Sequence, residues 1–231
     1  ESIRWVEGVR AALEVANACP QTTCVCVCDS EGDIYEVFTE PREVDSSAQP
    51  LHLLVRACQT RTTHDHSNWL EKVRASDCLY ECTVDVSARK AKMAPEKQGK
   101  RQQPRKARIA TVEIRATTIT LRPPWREDRK LPAVTLNVVL AEETNPPEGC
   151  EAIQWLLVTT LPIETSERVQ QIVSAYCVRW QIELFFRTIK SGCRIEKRLF
   201  ETLPRLQNCI SVYMIIACLL YTSPSPRDAI P

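Results

Sequence analysis

A mixed α/β fold is what the sequence predicts, on three observations. Residues 1–18 carry Ile3, Val6, Val9, Leu13 and Ala16 at helical spacing. The middle of the chain is strand-like, in apolar runs separated by Pro123-Pro124 and Pro146-Pro147. Residues from 166 onward return to a helical period. In order, Pro20 ends the first helix, and Thr22 to Cys28 (TTCVCVC) reads as a strand that stops at Asp29. Asp29 to Asp33 is a turn, and Ile34 to Phe38 opens a helix. Residues 41–50 read as a loop and Leu51 to Ala57 as a short strand. Thr111 to Leu121 alternates in two pieces, with Val112/Ile114 and Ile119/Leu121 inward. Val134 to Leu140 alternates throughout. Ile153 to Thr160 is nearly continuous apolar sequence, as a strand buried on both faces would be. Thr165 or Ser166 caps a single helix running to about Lys190, stopped by Ser191-Gly192. Leu203 to Leu220 is the last helix, and the tail from Tyr221 to Pro231 has no periodicity.

Composition narrows the function classes. Of 231 residues, 44% are hydrophobic and 26% charged, an ordinary globular balance that excludes collagen-like, coiled-coil and membrane proteins. The longest apolar run, Cys209 to Tyr221, is too short to span a bilayer, and no secretory signal is visible. A formal net charge of +1 points by itself to no polyanionic partner. The charge is unevenly spread, however. Residues 87–108 hold nine lysines and arginines against Glu96 alone, which reads either as a solvated loop or as a phosphate-contacting one. Glu1 already stands inside a helical pattern, with no initiator methionine and no cap, so the sequence reads as a fragment that begins in mid-domain.

The helix around residue 180 carries the densest chemistry. At 100° per residue, Tyr176, Arg179, Glu183 and Lys190 fall in one stripe about 60° wide, with Arg187 beside it. Val178, Ile182, Phe185 and Ile189 collect on the opposite side, so the pattern predicts that this apolar face is buried and the polar stripe is presented. Periodicity alone allows a plain alternative: a solvated face with i,i+4 ion pairs such as Arg179–Glu183 and Glu183–Arg187.

The spacing Tyr-x2-Arg-x3-Glu-x6-Lys resembles the Y-R-E-K signature of bacterial insertion-sequence transposases with a DDE catalytic triad. Val178-Arg-Trp-Gln-Ile-Glu, Cys28-Asp29-Ser-Glu-Gly-Asp-Ile-Tyr, Asn137-Val-Val-Leu-Ala-Glu-Glu-Thr-Asn-Pro-Pro and Trp155-Leu-Leu-Val-Thr-Thr resemble further segments of that group. The resemblance covers about residues 1–220, and several motifs in order are far more specific than any one.

The resemblance implies a partial ribonuclease H-like catalytic core with a β-rich insertion between the second Asp and the Glu helix. Residues 1–46 would be part of the core and 47–165 the insertion with its basic loop. Residues 166–220 would hold the catalytic Glu helix and its successor, and 221–231 would be a non-family tail. Asp29 and Glu183 would be catalytic carboxylates and metal ligands for Mg²⁺ (or Mn²⁺), the cations that activate the attacking oxygen and stabilise the leaving one. Tyr176, Arg179, Arg187 and Lys190 would grip DNA phosphates. Trp155 would stack a flipped base, and Arg56 would add a DNA contact. The activity implied is cut-and-paste transposition on double-stranded DNA, both transposon ends and target. The full-length form would be a homodimer in a synaptic complex, nucleoid-associated in the bacterial cytoplasm.

Three features depart from the group. No Asp precedes Asp29, so the first acid of the triad and the N-terminal DNA-recognition region are expected to lie upstream, and the chain alone is expected not to cut or join DNA. Position 30 is Ser where the group usually has Arg. After about Leu220 the pattern stops, without the C-terminal dimerisation region. Two other functions compete: a non-catalytic DNA-binding remnant or regulator, and a zinc-stabilised interaction module. For the latter, Cys24, Cys26 and Cys28 share a strand face, and His64, His66, Cys78 and Cys82 are further candidate ligands. The run lacks the C-x2-C knuckle spacing, which favours the reading of the twelve cysteines as small buried reduced thiols.

Overall fold

The computed structural model describes residues 2–41, 51–86, 88, 106–128 and 130–222. Most of the expected 41–50 loop, the basic residues Arg89 to Arg105 and the tail from residue 223 lie outside these. Two compact units divide the chain, Glu1–Val173 and Ser174–Pro231.

In the first unit, helix α1 (Ser2–Ala18) stops before Pro20, and its apolar stripe buries Val9 and Ala16. Strand β1 (Val25–Cys28) leads into a single 3₁₀ turn (Ser30–Gly32) and the short helix α2 (Tyr35–Thr39). There follow β2 (His52–Arg56), α3 (Trp69–Arg74), β3 (Cys78–Val86), β4 (Arg108–Leu121), β5 (Val134–Glu143) and β6 (Gln154–Thr159). One six-stranded sheet has the order β1-β2-β6-β5-β4-β3, parallel between β1 and β2 and antiparallel elsewhere. The strand of the expected core segment and the five strands of the expected insertion thus share one sheet.

The sequence reading departs from these elements in three places. β4 begins three residues before the expected Thr111, because Arg108, Ile109 and Ala110 pair with β3, while Val112/Ile114 and Ile119/Leu121 are buried as the two pieces of its alternation predict. β3 was not expected. It is an edge strand with mostly exposed or half-buried side chains, so it lacks an apolar stripe. Nor was α3, whose six residues are too few to show a period; Asn68 caps it, its side chain accepting from the Leu70 N–H at 2.8 Å.

One core cluster gathers on one face of the sheet, and consecutive buried residues such as Leu53 to Val55 on β2 and Leu156 to Thr159 on β6 show that the other face is covered too. Leu53, Val55, Ile119, Leu136, Val138 and Val158 meet residues of α1, Phe38 of α2 and Trp69 of α3. Each such side chain contributes roughly 1.5–3 kcal/mol on burial. Set into this apolar layer is an ion pair. The Asp33 side chain is fully buried, and its Oδ2 accepts from the backbone N–H groups of Cys58 and Gln59, both at 2.7 Å. Its Oδ1 accepts from Arg61 Nε at 3.2 Å, and Arg61 Nη2 also donates to the Asp33 carbonyl at 2.9 Å. The guanidinium lies 5.9, 5.2 and 5.8 Å from the ring centroids of Tyr35, Phe38 and Trp69. Cation–π attraction therefore replaces part of the hydration that Arg61 gives up. The turn before Asp33 is tight: a Cβ on Gly32 would sit 2.6 Å from the Cys28 Cβ, so only glycine lets the chain fold back on β1.

Removing one partner strands the other as an uncompensated buried charge. Asp33→Ala is therefore expected to lower the unfolding free energy by roughly 3–5 kcal/mol. Urea denaturation checks this, and a loss below about 1 kcal/mol, the range of a surface pair, would refute it.

Candidate nucleic-acid interface and metal site

One end of the sheet gathers three residues that the sequence singled out. Because β1 and β2 run parallel in the register Cys28↔Val55, the next residues, Asp29 and Arg56, occupy corresponding positions at the carboxyl ends of the two strands. Strand β6 runs antiparallel to β2 with Arg56↔Leu157, and the Ala57 N–H donates to the Leu156 carbonyl at 2.7 Å. The first residues of β6, Gln154 and Trp155, therefore stand at that same end. Positions 29, 56 and 155 are brought to neighbouring strands although 126 residues separate the outer two. The carboxyl ends of parallel strands are where open α/β sheets place ligands.

All three side chains are half-buried. Asp29 caps the 3₁₀ turn, its Oδ1 accepting from the Glu31 N–H at 2.9 Å. β5 contributes Glu142 and Glu143 to this end, in the register Ala141↔Trp155 and Glu142↔Gln154. Both acids already have partners. Arg108 Nη2 donates to Glu143 at 2.6 Å and the Ile153 N–H at 3.0 Å, while Arg74 and Gln154 donate to Glu142. The arginine in each case is the first cause that holds the carboxyl below the usual carboxylate range.

In the second unit the expected single helix is divided. The path runs through α4 (Ser166–Val178, which begins in the first unit) and α5 (Trp180–Arg187), with Arg179 between them. Arg179 keeps right-handed helical dihedrals. However, its N–H donates to the Tyr176 carbonyl and its own carbonyl accepts from the Ile182 N–H, both at 3.1 Å, so the backbone tightens there to i,i+3 bonding. Ser191-Gly192 do not stop the path: a π-helical turn, Thr188–Gly192, carries it through both. A 3₁₀ turn (Ile195–Lys197) and α6 (Leu203–Thr222) follow.

The burial pattern also corrects the sequence reading. Val178 and Ile182, expected inside, are 54% and 46% exposed, whereas Tyr176 is 1% exposed and the Arg179 side chain 13%. Of the expected apolar face, only Ile189 is buried. The tightened turn assembles a compact group: the Arg179 guanidinium lies 5.7 Å from the Tyr176 ring centroid and 5.1 Å from that of Trp180. Its Nη2 donates to Glu183 Oε1 at 3.3 Å. Tyr176, Arg179 and Glu183 are thus brought together as the stripe predicted. Arg187 and Lys190 are exposed, and the π turn between Glu183 and Lys190 breaks the 100° step on which their alignment rested. Sequence reasoning missed Trp180, whose signal was its place beside Arg179, and the Asp33–Arg61 pair. Asp33 was visible as the last residue of the Asp29 turn; Arg61 had no pattern around it.

A two-cation centre needs several converging carboxylates. Among the described residues, no three His, Cys, Asp or Glu side chains are disposed to hold a metal ion. Asp29 and Glu183 belong to different compact units. The described residues thus assemble no carboxylate group of the kind that a two-cation site needs. Nor do Cys24, Cys26 and Cys28 belong to any such group among the described residues. All twelve cysteines are free. The Cys26 and Cys28 sulfurs stand 3.9 Å apart, and hydrogen bonding from Cys28 draws the Cys26 thiol down to about 7. The same hydrogen bond, followed by burial, pushes Cys28 up.

A protein-family model described as Transposase DDE domain matches residues 54–219. The match begins in β2 and ends in α6, so it spans well over half of the chain and includes Arg56, Trp155, Tyr176, Arg179, Glu183, Arg187 and Lys190. Asp29 lies before its first residue.

The paired sulfurs make Cys26 the early-titrating thiol. Iodoacetamide is expected to alkylate it with a half-maximal rate near pH 7, and Cys28→Ala, which removes the donor, is expected to return it toward the ordinary thiol value near 8.5. Peptide mass spectrometry across pH reads both; labelling of Cys26 only above pH 8.5 in the unmodified chain would show that the sulfur pair is absent.

Proposed function

The chain belongs to the Transposase DDE domain family, and from that premise we propose that it is part of a cut-and-paste DNA transposase of the Y-R-E-K group, carried by a bacterial insertion sequence. Family membership makes DNA the substrate class. The single observation that carries the residue-level proposal is the gathering of Asp29, Arg56 and Trp155 at one end of three neighbouring strands.

In this reading the sheet belongs to a ribonuclease H-like core with its β-rich insertion, residues 1–46 and 47–165, and the helices of 166–220 supply the third acid. Asp29 and Glu183 are the second and third acids of the triad. Arg179 holds a backbone phosphate. Its guanidinium is held near the Tyr176 and Trp180 rings and beside Glu183, and its fork geometry suits a phosphate. Lys190 and Arg187, both exposed, add point charges along the same strand. Trp155 offers an indole face to an unstacked base and recovers ~1–3 kcal/mol of the unstacking cost. The assembly in this proposal is a homodimer on paired transposon ends in the bacterial cytoplasm; no helix among the described residues is long and apolar enough to cross a membrane.

The family's chemistry uses divalent cations such as Mg²⁺ or Mn²⁺ between carboxylates. Because the donors among the described residues fall short of that set, no step through a cation is assigned to this polypeptide.

On a duplex oligonucleotide read by fluorescence anisotropy, the chain is expected to bind, and Arg179→Ala to weaken binding roughly tenfold, about 1.4 kcal/mol. Unchanged affinity in Arg179→Ala would remove the phosphate role. With Mg²⁺ or Mn²⁺ and a transposon-end duplex, the 231-residue polypeptide is expected to leave the strands intact on a denaturing gel, and metal-dependent nicking would overturn the incomplete-triad proposal.

A further inference from the structure

The net charge of +1 conceals a strong local segregation of charge in the second unit. Between residues 187 and 198 stand Arg187, Lys190, Arg194, Lys197 and Arg198, with Glu196 as the only acid, and all six side chains are exposed. Among the described residues, the ion pairs of this unit are Arg179–Glu183 and Arg205–Glu201, and neither includes any of the five cations. Like charges this dense repel one another, and in a folded surface they persist where a polyanion offsets them.

The backbone here is closed rather than loose. The Cys193 N–H donates to the Thr188 carbonyl at 2.9 Å, completing the π turn. Arg194 then takes the left-handed conformation (φ 50°) and reverses the chain into the 3₁₀ turn. In that turn Lys197 N–H donates to the Arg194 carbonyl at 3.0 Å and Arg198 N–H to the Ile195 carbonyl at 3.1 Å. The Arg198 guanidinium lies 5.9 Å from the Tyr213 ring centroid, which anchors the far side of the segment on α6. The cations are therefore carried on a defined scaffold directly after the π turn that holds Lys190. A non-glycine residue in the left-handed region stores strain of a kind that clusters at functional positions.

We infer that residues 194–198 form a further phosphate-contacting segment, in which Arg194, Lys197 and Arg198 grip the DNA backbone beyond the phosphate assigned to Lys190. The contact is to phosphates and independent of sequence, because exposed guanidinium and ammonium groups on turns, without a helix or strand to enter a groove, reach backbone oxygens rather than base edges. The inference rests on the DNA reading proposed above and extends it by three residues. It also explains how a nearly neutral chain holds a polyanion: neutralisation is local.

Counterion release gives the test. Each phosphate contact adds about 0.9 to the negative slope of log K against log salt on duplex DNA. Anisotropy titrations of the 231-residue chain use two 20-base-pair duplexes of unrelated sequence at several salt concentrations. Arg194→Ala/Lys197→Ala/Arg198→Ala is expected to reduce the slope by about 2.7 and to weaken binding tenfold or more, equally for both sequences. Arg194→Ala/Lys197→Ala leaves the Arg198–Tyr213 contact in place, so the fold is not at issue, and is expected to reduce the slope by about 1.8. A wild-type slope in both variants, or weaker binding with an unchanged slope, would overturn the inference. Were Arg179→Ala still to weaken binding in that case, the DNA reading would stand without this segment. Were the unmodified chain to bind neither duplex, both would fall together.

Discussion

The Asp33–Arg61 pair is the constraint on which the first unit depends. The turn after β1, the segment that leaves β2, and the ring-bearing helices α2 and α3 converge on it. A carboxylate and a guanidinium buried together give up hydration worth several kcal/mol each. Here every lone pair in use on Asp33 accepts from a defined donor, two of them backbone amides. The Arg61 charge rests near three aromatic rings. The pair's main effect is geometric. With Asp33 fixed and Gly32 pressed against Cys28, the four residues that begin at Asp29 have little freedom left.

That rigidity matters because Asp29 sits where the strand ends. The parallel pairing of β1 with β2, and the return of β6 between β2 and β5, turn one end of the sheet into a platform. Acidic, basic and aromatic groups from positions 29, 56 and 155 reach it from neighbouring strands. The same end holds Glu142 and Glu143, which Arg74 and Arg108 occupy. Preorganisation of this kind keeps a site's groups in place without reorganisation when the substrate arrives.

The second unit holds a guanidinium among two rings and a carboxylate. Arg179 is mostly buried, yet it lies near two rings and spends a donor on Glu183. Burial beside aromatic faces weakens its hydration and so raises its preference for a phosphate over water. The departure from regular helix at Arg179 is what permits this, since the tightened turn sets Tyr176 and Trp180 around one side chain. The cations that follow, on the π turn and the 3₁₀ turn, are exposed and supply charge with less directional control.

Much of the architecture was legible because burial is written into periodicity. α1, β2, β5, β6 and α6 each carry an apolar pattern long enough to read, and their observed limits fall within a few residues of the expected ones. The ordered motifs identified the family, and the stripe of Tyr176, Arg179 and Glu183 anticipated a real cluster. The sequence was silent where structure depends on partners far away in the chain. β3 is strand because β4 offers it a ladder; Arg61 is buried because Asp33 and three rings enclose it; and Val178 is exposed while Tyr176 is buried because α4 turns the face of Val169, Ile172 and Tyr176 inward and residues two apart face opposite sides. Residue types, spacing and local propensity act over a few neighbours and were determined by the sequence itself. Strand order, the company kept at the end of the sheet, and the choice of which helix face to bury are settled only when distant segments compete for the same apolar surface and the same hydrogen-bond donors, and that competition exists only in the folded chain.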